Sequence, residues 1–104
     1  MYTDEFGVQY SDDKKTLISA PSHLEGEYVI PASVTYIEGG AFAGILGITS
    51  VTFVSSNVII DEDAFSGCDN IEVIVVPSGT KDLFIQKFED AYIEHSVTEC
   101  IREG

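Results

Sequence analysis

Apolar positions recur along this chain with two different periods, and the change from one to the other predicts its layout. From Glu27 to Gly79 they alternate in short bursts: Tyr28 and Ile30, then Val51 and Phe53, then Ile74 and Val76. β-Branched and aromatic residues at a spacing of two describe short strands with one buried face. The bursts themselves return every 23 residues. Tyr28, Val51 and Ile74 therefore form one inward column and Ile30, Phe53 and Val76 a second, on strands lying side by side in a parallel sheet. The outward positions are Glu27, Ser50 and Val73, then Val29, Thr52 and Val75, with Val54 beside them.

The same period governs the turns. Ala41-Phe42-Ala43-Gly44 recurs as Ala64-Phe65-Ser66-Gly67, Ile37 as Ile60 and Ile48 as Ile71, and Ile30-Pro31-Ala32-Ser33 returns two periods on as Val76-Pro77-Ser78-Gly79. A unit of this size cannot bury an apolar face alone, so successive units stack as coils. Phe42 is expected to lie on Phe65 in the middle of the stack, with Ala41 and Ala64 permitting close backbone approach. Gly44 and Gly67 are expected to turn the chain at positive φ. Pro31 and Pro77 mark turns where a backbone donor is dispensable. Val34-x-x-Ile37 and Val58-x-Ile60 open the return path, the second copy slipping at Asn57, where the first has Val34.

Outside the repeats the pattern differs. Phe6, Val8 and Tyr10 alternate, residues 11–15 supply turn chemistry and Leu17-Ile18 resumes an apolar strand, which predicts a hairpin covering the first coil. Residues 21–26 read as a loop. From Thr80, a candidate N-cap, the period becomes helical: Leu83, Phe84, Phe88, Ala91 and Tyr92 share one face, opposite Lys81, Asp82, Gln86, Lys87, Glu89 and Asp90. Residues 97–101 follow as a last strand or a frayed end. The expected layout is one α/β repeat domain over residues 1–104, a complete folding unit. Its parts are a β-hairpin cap at 6–20, repeats at 28–50 and 51–73, a partial repeat at 74–79 and a helical cap at 80–95.

The runs Tyr28-Val-Ile-Pro-Ala-Ser-Val-Thr-Tyr-Ile-Glu-Gly-Gly-Ala-Phe-Ala-Gly and Ala64-Phe-Ser-Gly-Cys-Asp-Asn-Ile-Glu-Val-Ile-Val-Val-Pro resemble the BspA-like, or Treponema pallidum-type, leucine-rich repeats. The family pattern is met by Cys68, Ile71, Ile74, Val76 and Pro77 in one copy and by Val34, Ile37, Ala41 and Phe42 in another. With the ends included, the resemblance covers about residues 6–95. It implies a short leucine-rich-repeat solenoid with a parallel strand stack. It also implies a non-enzymatic protein-binding module of bacterial surface or secreted proteins, and it brings no catalytic residue and no cofactor. Relatives commonly carry many repeats, whereas two and a fraction are visible here. Cys68 is matched by Ile45 in the other copy, which assigns it a buried apolar role.

Charge narrows the choice of partner. Eighteen acidic residues against five basic leave a net charge of −13, and no Lys or Arg falls between Lys15 and Lys81. Phosphate binding needs clustered cations, so nucleic acid is excluded as a partner, and an anionic membrane surface is disfavoured on the same ground. No run approaches the apolar length of a membrane span, so membrane insertion is not expected. Cys68 and Cys100 form neither a disulfide framework nor a CxxC pair.

Four constellations could carry chemistry, and each has a plainer reading. Asp61-Glu62-Asp63 with Asp69 offers oxygen ligands, but its spacing fits no calcium loop, so it reads as a solvated acidic turn. Gly39 and Gly44 have the spacing of phosphate-loop glycines, yet Ile45 stands where the lysine belongs. His23 beside Ser22 and His95 beside Ser96 have no acid placed to orient them. Cys100 with His95 has no cationic neighbour beyond Arg102 to ionise its thiol. Catalytic, cofactor and metal residues are therefore expected to be none. The expected site is the outward strand face of Glu27, Val29, Ser50, Thr52, Val54, Val73 and Val75, presented to a protein partner. The alternative is that the same face is buried between protomers of a homo-oligomer.

Overall fold

The computed structural model describes residues 1–104. In chain order its strands are β1 (Tyr2–Thr3), β2 (Gln9–Tyr10), β3 (Thr16–Ser19), β4 (Gly26–Ile30), β5 (Tyr36–Ile37), β6 (Ile48–Phe53), β7 (Ile59–Ile60) and β8 (Val73–Val76). Helices α1 (Lys81–Asp90) and α2 (His95–Thr98) follow, and β9 (Ile101–Glu103) is the last strand. Two sheets result, one ordered β4-β6-β8-β9 and the other β1-β2-β3-β5-β7.

The first sheet is parallel throughout, and its rows from β4 through β6 to β8 follow the 23-residue period. Tyr28 stands beside Val51 and Val51 beside Ile74, all three buried, with Ile30, Phe53 and Val76 buried in the next column. The second sheet continues β3, β5 and β7 in parallel, with Leu17, Ile37 and Ile60 in one row. Between the sheets Phe42 lies on Phe65 with ring centroids 4.8 Å apart and planes 13° apart. The peptide groups flanking the rings bond across: Phe42 N–H donates to the Ala64 carbonyl at 2.7 Å, and Gly44 N–H to that of Ser66 at 2.8 Å. Gly44 and Gly67 have φ of 71° and 77°, values that only glycine adopts freely. The slip at Asn57 is absorbed locally, and Val58 is buried in the role of Val34.

The two ends depart from expectation in detail. The hairpin pairs β2 with β3 antiparallel, and β1 adds a third strand on its far side. Phe6 is in no strand, because the Asp4 carboxylate accepts the Phe6 and Val8 N–H groups at 2.9 Å each and closes a turn with Gly7 at φ +89°. At the other end the helix stops at Asp90, short of the expected 95, and a second short helix follows. Phe84, Phe88 and Ala91 are buried, but Leu83 and Tyr92 are exposed. Tyr92 lies beyond the helix at φ 57°, so the helical period no longer sets its direction. Thr80 precedes α1 without capping it: its hydroxyl donates to the Pro77 carbonyl at 2.6 Å, and the Glu103 carboxylate accepts the Lys81 N–H at 3.1 Å instead.

The third register is also fuller than a partial repeat. Phe88 follows Phe65 by the same 23 residues and stacks on it at 5.6 Å and 10°. The aromatic column therefore runs through Phe42 and Phe65 into α1. The chain then returns to β9, where Ile101 pairs with Ile74 at a spacing of 27 rather than 23 residues.

Candidate protein-binding face

The outward side of the β4-β6-β8 rows carries six of the seven candidate residues, and the register brings those six together, with Val54 one residue past the end of β6. Glu27, Ser50 and Val73 are successive Cα partners, as are Val29, Thr52 and Val75. Val29 is 48 % exposed and Val54 53 %, Glu27 is exposed, and Ser50, Thr52, Val73 and Val75 are partly exposed. The Thr52 hydroxyl donates to the Glu27 carboxylate at 3.5 Å. Valines thus stand on β4 and β8 with Ser50 and Thr52 between them on β6, and Glu27 at the β4 margin. Arg102 of β9 extends it as the neighbour of Val75, and it sits in the row the period did not reach because the last interval is four residues longer. Large apolar side chains are exposed elsewhere too, at Leu46, Ile59 and Leu83, but these belong to no common row of the first sheet.

The other constellations are committed to local structure. The Tyr36 hydroxyl and the Glu62 N–H bind the Asp61 carboxylate and hold it below the usual carboxylate range. The Asp63 carboxylate accepts the Ser66 hydroxyl at 3.0 Å. No three His, Cys, Asp or Glu side chains are grouped to hold a metal ion. Ile45 is buried, His23 is exposed, and His95 contacts Glu99 at 3.2 Å one helical turn on. Both thiols face carbonyls, Cys68 that of Phe42 at 2.8 Å and Cys100 those of Ile71 and Ser96 at 3.4 Å. Burial pushes the Cys68 thiol up to about 11 and the Cys100 thiol above its ordinary value, the reverse of what a nucleophile needs.

Two hollows were not foreshadowed by spacing, because both are lined in part by residues 2–14, which belong to no repeat. One, of about 240 Å³, is lined by Tyr2, Asp4, Tyr10, Lys14, Pro31 and Ser33. The other, of about 280 Å³, is lined by Glu5, Phe6, His23, Leu24 and Glu25. Between them the Tyr28 hydroxyl donates to Asp4 at 2.6 Å and meets the Tyr10 hydroxyl. Burial, reinforced by Asp4, lifts the Tyr28 hydroxyl far above the ordinary phenol range. This buried trio fixes the N-terminal segment to the first repeat and leaves no proton to trade near neutral pH.

No helix is long and apolar enough to cross a membrane. No curated protein and no solved structure matches the chain. The family model described as BspA type leucine rich repeat region (6 copies) matches residues 23–99. That span takes in β4, β6 and β8, which carry the valine face, and the turns and α1 that hold Phe42, Phe65 and Phe88. The chain belongs to the BspA-type leucine-rich-repeat family.

Proposed function

We propose that the protein is a short leucine-rich-repeat solenoid, closed by the N-terminal hairpin at one end and by α1 at the other. In this reading it binds a protein partner, without catalysis, through the outward face of Glu27, Val29, Ser50, Thr52, Val54, Val73 and Val75. The observation that carries this reading is the placement of Val29, Val73 and Val75 on the outward side of a regular sheet, with the exposed Val54 just past the end of β6. Exposed apolar side chains grouped on one face mark interaction sites. A foreign partner is favoured over a second copy because two chains of net charge −13 repel. Hydrogen-exchange mapping with a purified partner tests the assignment. Protection of residues 50–54 and 73–75 is expected, and unchanged exchange there overturns it. Light scattering separates the homo-oligomer reading, which requires a concentration-dependent dimer.

A further inference from the structure

The sheet that carries the valine face ends on β4, and the phase of its hydrogen bonds shows which groups that edge presents. In a parallel ladder alternate residues bond to one neighbour and the rest to the other. In β8 the inward residues bond forward: Ile74 N–H donates to the Cys100 carbonyl at 2.9 Å, and the Val76 carbonyl accepts from Gly104 at 3.0 Å. Carried back through the regular rows, Val73 and Val75 then bond to Val51 of β6, and Ser50 and Thr52 to Tyr28 of β4, so Tyr28 and Ile30 face β6; the register shift between Gly26 and Glu27 lies ahead of these rows. The main-chain N–H and C=O groups of Glu27 and Val29 therefore point the other way, where the sheet has no strand. Both residues are exposed. A free edge of this kind is a template for an added strand.

Charge says what the strand should be. Glu25 and Glu27 flank the edge, and Glu5 and Glu25 line the neighbouring hollow with the half-exposed ring of Phe6, which is held edge-on to Tyr28 at 5.9 Å. No cation lies between residues 16 and 80, and Lys14 is occupied over the Tyr2 ring at 4.3 Å. Carboxylates beside an aromatic ring suit an ammonium or guanidinium group.

We propose that the free edge of β4 takes an extended, lysine- or arginine-bearing segment of a protein partner as an additional strand. Its main chain pairs with Glu27 and Val29, and a basic side chain reaches Glu5 and Glu25. This rests on the protein-binding reading above and locates the contact at the margin of the valine face.

The probe is a short fluorescent peptide of alternating valine and lysine, followed by anisotropy. Wild-type protein is expected to bind it, more weakly as salt rises. Val29→Pro removes an edge N–H that the fold does not use, and proline is tolerated on edge strands. It should weaken binding about tenfold with unchanged circular dichroism, and the same peptide N-methylated at alternate amides should weaken as much towards wild-type protein. Ile59→Thr, at an exposed position on β7 of the second sheet and outside the proposed face, should leave peptide binding intact. Failure of the cationic peptide to bind, or equal binding by the N-methylated form, overturns the edge inference. Loss through Ile59→Thr but not through Val29→Pro also overturns it while leaving the sheet-face reading to its own hydrogen-exchange test. Should Val29→Pro not fold, the N-methylated peptide against wild-type protein decides the question alone: equal binding overturns the edge inference and weakened binding supports it.

Discussion

Phe65 is the middle ring of the aromatic column: it stacks on Phe42 and Phe88 and meets Phe53 at 6.2 Å, with no exposed surface. Phe65→Ala removes the middle of the column, and the rings above and below are fixed by their own strand and helix, so the cavity cannot close. A loss of about 3–5 kcal/mol is expected in urea denaturation. Asp4→Ala removes the carboxylate that accepts the Tyr28 hydroxyl, leaving Tyr28 and Tyr10 with one acceptor fewer between them, and opens the turn before β2, which should cost about 1–3 kcal/mol in the same assay. Cys68 makes stability depend on pH. Its folded thiol ionises near 11 and the unfolded thiol near 9, so its contribution is complete below 9 and is lost as pH rises towards 11. Unfolding free energies for wild type and Cys68→Ala should diverge less at alkaline pH than at neutral pH. The inward residues were legible because two periods, 2 and 23, had to agree on each of them. Leu83 and Tyr92 misled because a helical period identifies a stripe without saying where the helix stops, and Phe84 and Phe88 suffice to seat this one.

At the scale of elements, the third repeat replaces a turn by a helix and must recover the hydrogen bonds that the turn supplied. Gly44 N–H donates to a main-chain carbonyl of the next repeat, whereas Gly67 N–H, its equivalent, finds the Glu94 carboxylate at 3.2 and 3.3 Å. Lys87 likewise donates to the Val58 carbonyl at 2.7 Å, on the side of β7 where the second sheet ends. Glu94→Ala should lower stability by about 0.5–1.5 kcal/mol, with Glu94→Gln nearer wild type because an amide oxygen still accepts. Chemical denaturation of the pair checks this, and equal losses would contradict the substitution of side chain for main chain. These devices were not legible in advance. A carboxylate standing in for a carbonyl 27 residues away leaves no periodic trace, and the helical spacing after Thr80 obscured the continuing phase of Phe88. The strand of residues 101–103 was glimpsed only at its start, since the interval to it is no longer 23.

The molecule as a whole is held by apolar packing against its own charge. No Lys or Arg makes an ion pair; the two ionic contacts are the N-terminal amine with Asp12 and His95 with Glu99. Repulsion among the carboxylates is therefore largely uncompensated, and added salt should raise the midpoint of thermal unfolding by screening it. A melting temperature independent of ionic strength would contradict that balance. The same excess of acid was visible in the composition, 18 acidic residues against 5 basic, and it repels polyanions.

One consequence of the phenylalanine column concerns heredity rather than binding. Because Phe42, Phe65 and Phe88 are related by a constant step and each ring needs only a like ring on either side, a duplicated 23-residue segment inserted between Ser50 and Val51 would meet neighbours of the right shape in both directions. Unequal recombination could therefore lengthen or shorten the gene in whole steps without passing through a broken product, and the hairpin and helix would travel unchanged at either end.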